Sequence, residues 1–130
     1  MIVMTVVVHV AGLRAIHFGV VLAHPHRGRI EKIVRSVAIP GFAVLLVTCL
    51  HWLEAAAWSL AYVMLGAVPD PKAAMLYSLG TMTTFGSIFN LDPHWQMLGP
   101  IEALNGLILF GLTTAFLFGV IQRAWRTGDE

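Results

Sequence analysis

The stretch 78-SLGTMTTFGSIFN-90 gathers hydroxyls at Thr81, Thr83 and Thr84 immediately before Gly86. Oxygen atoms held close together on glycine-broken backbone can replace the water around a cation. A second set of residues with chemistry lies in apolar surroundings: His9, His51 and Glu54. His51 and Glu54 share a helix face, and counting about 1.5 Å per residue from the helix ends puts His9 near the same depth. Such a cluster can hold itself together by hydrogen bonds, or sense protons, since histidine titrates near neutrality. It can also bind a metal, which wants at least three ligands in matched geometry. Structural hydrogen bonding is the plainest of these readings.

The elements that must position these residues are built for lipid. Of the 130 residues, 58% are hydrophobic and 12% charged, and the mean hydropathy of +0.79 belongs to a membrane protein rather than a soluble core. The net charge of +1, with no basic block, argues against nucleic acid, which takes a cluster of Lys and Arg to neutralise. Cys49 has no partner cysteine in the chain and is read as packing. The first apolar run has no positive charge before Arg14 and is longer than a signal-peptide core, so it is expected to remain as a helix.

Three spans result, each longer than the roughly 20 residues that cross the hydrocarbon. The division expected is an N-terminal helix over 1–23, a basic linker over 24–37 and a third part over 38–127, with apolar helices over about 38–68 and 99–123. Arg27, Arg29, Lys32 and Arg35 in the linker and Arg123 and Arg126 near the C-terminus place both segments in the cytoplasm by the positive-inside rule, and the N-terminus outside. Arg14 and His17 then lie near the headgroups.

Between the last two spans, Pro69, Asp70 and Pro71 suit a helix start, and the spacing predicts a short helix over about 71–83. It is under the roughly 17 residues that a crossing helix needs. A short helix followed by TTFGS and an exit through FNLDPHW is the pattern of a re-entrant loop, which survives at membrane depth only where protein buries it or water meets it. One chain supplies one such loop, so a ring around an ion requires several chains.

The run 73-AAMLYSLGTMTTFGS-87 resembles the pore helix and filter of tetrameric potassium channels, and 106-GLILFGLTTAFL-117 is similar to the inner helix of their two-transmembrane prokaryotic members. The resemblance covers residues 38–123. It implies an all-α membrane protein with the potassium-channel pore fold: three transmembrane helices, a re-entrant pore helix and a filter loop over 84–88. The function implied is a homotetrameric channel for K⁺ or Na⁺ in a bacterial inner membrane, with the ion at Thr83, Thr84, Phe85, Gly86 and Ser87. No enzymatic activity is expected, and no cofactor beyond the permeant ion.

The family pattern T-V-G-Y-G-D reads here Thr84, Phe85, Gly86, Ser87, Ile88, Phe89. The second glycine is missing, and β-branched Ile88 resists the positive φ that glycine adopts freely. Only the inner part of the filter is therefore expected to keep family-like geometry, and selectivity is expected to be weak. Gly80 stands where some members place a bulky or acidic residue behind the filter. On the third span Leu107, Phe110, Thr114 and Phe118 share a face, which the resemblance assigns to the cavity and gate. Gly106 is a candidate hinge, with close helix contact as the alternative. Glu102 is expected to complement the helix dipole or to form a cation-attracting ring. Two other functions use the same chain: a haem or quinone subunit with His9, His17 and His51 as ligands, and a non-conducting accessory subunit with the same fold.

Overall fold

A computed structural model describes residues 1–22, 29–86 and 89–126. The described residues form four helices and no strands: α1 Ile2–Leu22, α2 Arg29–Met64, α3 Pro71–Met82 and α4 Leu98–Arg126. Within α1, α2 and α4 lie stretches long and apolar enough to cross a membrane, Ile2–Gly19, Ser36–Met64 and Leu98–Trp125. The chain is thus read as an integral membrane protein, and its outward Val, Leu and Phe side chains suit lipid or other copies. At 12 residues, α3 is about 18 Å long, well short of a roughly 30 Å hydrocarbon core.

The second span differs from its expected bounds. Its helix starts at Arg29, inside the stretch expected as linker, and stops at Met64 rather than near residue 68. The stop is built from backbone: Gly66 has φ +70°, its N–H reaches the Val63 carbonyl, and the Ala67 N–H reaches that of Tyr62, both at 3.0 Å. This pairing caps a helix whose next residue must be left-handed, a conformation open to glycine. At α3 the expected start holds. The Asp70 carboxylate accepts from the Ala73 N–H at 2.7 Å, and Pro71 takes the first helical position, where its missing N–H costs nothing.

α1 lies along α2 and α4, with Leu13, Val47 and Leu50 at its centre, while α3 sits against α2 and α4 over Ala55, Met82 and Leu109. Toward the loops, Trp58, Tyr62, Tyr77 and Leu91 form an aromatic-rich cluster, in which the Tyr62 and Tyr77 rings meet edge to face at 5.1 Å. Among the described glycines, Gly106 is the most tightly enclosed. A Cβ there would lie 2.1 Å from the Met82 carbonyl oxygen, so the backbone of α4 runs directly against the last turn of α3. Close contact, the alternative to a hinge, accounts for this glycine. Cys49 is exposed on α2 and fills no core space, contrary to its reading as packing.

Candidate functional site

The end of α3 is the first site. Thr83 caps the helix: its N–H reaches the Leu79 carbonyl at 3.1 Å, and its hydroxyl donates to the same carbonyl at 2.7 Å. Thr84 then turns left-handed at φ +57°, the single non-glycine residue with positive φ among those described. Helices often end on such a residue, but it is usually glycine, because a β-branched side chain meets backbone there. Gly86 follows at φ +109°. Its N–H bonds the Gly80 carbonyl at 3.2 Å, and a Cβ on Gly80 would lie 2.6 Å from the Gly86 carbonyl oxygen. Gly80 is small because the loop folds back onto it, and the Gly86 carbonyl lies against α3.

Thr83, Thr84, Phe85 and Gly86 are all exposed on the single chain, Phe85 at 89%. Ser87 and Ile88, on which the outer filter was expected to turn, lie outside the described residues. Leu107, Phe110, Thr114 and Phe118 on α4 are exposed as well, although the Thr114 hydroxyl is taken up by the Phe110 carbonyl at 2.8 Å. Strain of the kind held at Thr84 costs about 1–3 kcal/mol. Thr84→Gly is accordingly expected to raise unfolding stability in detergent by about 1 kcal/mol, read from denaturant or thermal melts. A loss of stability on that change would mean that Thr84 is not strained.

The second site is the buried cluster, and here the three residues do meet. His9 Nδ1 is 2.8 Å from Glu54 Oε1, and His51 Nδ1 is 3.2 Å from Glu54 Oε2. A fourth member went unforeseen: Thr113 Oγ1 lies 3.0 Å from His9 Nε2 and 3.1 Å from His51 Nε2. Thr113 is off the α4 face of Leu107, Phe110, Thr114 and Phe118, and α4 itself carries no histidine, so a hydroxyl in an apolar span is the one signal the sequence offers. The cluster joins α1, α2 and α4, and the His51 ring stacks on Phe110 with centroids 4.5 Å apart. His17, two turns along α1, instead accepts from Arg123 Nη1 at 3.2 Å, so the three histidines of the haem reading do not converge.

Glu102 corrects an expectation. It is fully buried and stands in the second turn of α4, beyond the first turn where a carboxylate complements the dipole. Tyr62 Oη donates to its Oε2 at 2.7 Å, and Ser78 Oγ, which donates to the Ala55 carbonyl at 2.9 Å, also contacts its Oε1. The carboxylate therefore ties α2, α3 and α4 together. Near the start of α1, Thr5 Oγ1 donates to Asn105 Oδ1 at 3.0 Å. Compared with known protein families, with characterised proteins and with solved structures, the chain matches none.

Proposed function

We propose that the chain is the subunit of a homotetrameric channel for monovalent cations, of the potassium-channel pore type, with α3 as a re-entrant pore helix and the loop after it as a shortened filter. The observation that carries this reading is the left-handed Thr84. Backbone strain persists where surrounding structure enforces it and function uses it, and this strain falls on the threonine that matches the start of the family's filter. Several features support the same reading. α3 is too short to cross a membrane, its carbonyl end carries partial negative charge, and the face of α4 with Leu107, Phe110, Thr114 and Phe118 is left open by the single chain. A closed ring of four copies would place these faces around one axis. With the basic residues inside, the N-terminus is outside, in a bacterial inner membrane. Selectivity between K⁺ and Na⁺ is modest in this reading, because the Gly86 carbonyl turns to α3 and leaves few carbonyl layers to strip water from the ion.

The test is the mass of the purified protein in detergent together with ion flux into liposomes. Four chains per particle are expected, with K⁺ and Na⁺ fluxes within about a factor of ten of each other. Gly86→Ala supplies the control. A methyl at φ +109° is strained, yet it meets no atom within 4 Å, so the variant should assemble and lose at least about nine-tenths of its flux. Wild-type flux from assembled Gly86→Ala protein, or conduction by a monomer, would defeat the proposal.

A further inference from the structure

With both rings neutral, the hydrogen-bond accounting of the buried cluster does not close on its own atoms. An ionised Glu54 carboxylate only accepts, so His9 and His51 must each carry a proton on Nδ1 to bond it, and a neutral ring then has a bare Nε2. Both Nε2 atoms face the Thr113 hydroxyl, at 3.0 and 3.1 Å, which has one hydrogen to give. One contact is left lone pair against lone pair. Moreover, His51 Nδ1 and Glu54 Oε2 have no hydrogen-bond partner despite being buried. They stand 3.2 Å apart without the alignment of a hydrogen bond, and the Glu54 side chain is only 1% exposed.

We infer that His9 Nδ1, His51 Nδ1 and the Glu54 carboxylate form a binding site for a divalent transition-metal ion of the zinc class, with Thr113 as the acceptor that orients both rings. The ion takes the place of the Nδ1 protons. Each imidazole is then neutral with its hydrogen on Nε2, and the two lone pairs of Thr113 Oγ1 accept both. Ligating histidines characteristically donate their other N–H in this way. One ligand atom from each of His9, His51 and Glu54 lies within 4.8 Å of the other two. The 2.8 and 3.2 Å N···O separations are within a few tenths to half an ångström of the about 3.3 Å edge of a tetrahedral site with 2.0–2.1 Å bonds. Two imidazoles and a carboxylate suit Zn²⁺, Co²⁺, Ni²⁺ and Cu²⁺ over Mg²⁺ or Ca²⁺, which prefer oxygen alone. His51, with its side chain 13% exposed, is the one member of the set that meets the surface. The inference stands on the helix packing and is independent of whether the protein conducts ions.

The experiment uses the full chain in detergent, free of any histidine tag and stripped with chelator, titrated with CoCl₂ and then ZnCl₂. One cobalt ion per chain is expected, with the visible absorption of a four-coordinate nitrogen–oxygen site that Zn²⁺ then displaces. Glu54→Gln should abolish the band. Thr113→Val should keep the spectrum and weaken affinity by about 10- to 100-fold. Absence of the cobalt band in folded wild-type protein would overturn the inference, a measurement that does not depend on any variant folding. Unchanged affinity in Glu54→Gln would overturn it as well, as would a pH-dependent melting temperature without metal uptake, which would assign the cluster to a proton alone.

Discussion

Gly106→Ala protein is expected to be destabilised by about 3 kcal/mol, at the upper end of the cost of forcing extra atoms into packed structure. The added Cβ would lie 2.1 Å from the Met82 carbonyl oxygen, 2.9 Å from its carbon and 3.1 Å from its Cα. These are backbone atoms of the last residue of α3, so no side-chain rotation relieves the clash, and α3 must move away from α4. Met82 and Leu109 are buried at this contact, and their packing would open with it. Gly111, five residues along the same helix, is the control. A Cβ there meets nothing within 4 Å, and Gly111→Ala should be neutral or stabilising by up to about 1 kcal/mol. Thermal melts in detergent, followed by size-exclusion chromatography, separate the two. A Gly106→Ala variant that melts with the wild type would argue against the close α3–α4 contact.

Glu102→Ala should cost about as much, roughly 3 kcal/mol, from a buried Tyr62 hydroxyl left without its acceptor and a cavity where the carboxylate stood. Glu102→Gln should cost under about 1 kcal/mol. The amide oxygen can still accept from Tyr62, while the amide N–H donates to Ser78 Oγ, which keeps its own hydrogen for the Ala55 carbonyl. This ordering distinguishes a structural clasp from an ionic role. If Glu102 served as a charge for attracting cations, the Gln variant would retain its melting temperature and lose flux. If Gln proves as damaging as Ala, the carboxylate does more than these hydrogen bonds describe.

The helices were legible because lipid imposes a simple rule. Twenty or so apolar residues without a fixed charge must be helical, and Pro69–Asp70–Pro71 marks a start wherever it stands. The stop of α2 was misplaced by four residues because its determinant is the φ of Gly66 against carbonyls of the preceding turn, while hydropathy continues smoothly through Val68. His9, His51 and Glu54 could be matched by depth along helices, since rise per residue is fixed. Thr113 could not, because rotation of α4 about its own axis is set by packing and not by depth. For a related reason the sequence assigns Gly80 no role in the loop contact and leaves Gly106 between a hinge and a close contact. Each is small on account of backbone folded against it, Gly86 six residues on in one case and Met82 of another helix in the other, and no residue pattern announces that. Thr84 was singled out by its hydroxyl and type, whereas its left-handed backbone became visible only with the loop folded back on α3.

The junction at His9 also bears on how the chain is made. Its partners are separated from it by 45 residues at Glu54 and 104 at Thr113, and synthesis delivers them in that order. A ribosome releases α1 into the bilayer with a histidine that has nothing to bond, and a polar group in that position is costly until a partner arrives. α2 brings the first relief, and only α4 completes the set. Chains interrupted before residue 113 therefore lack the hydroxyl that both His9 and His51 meet in the finished protein.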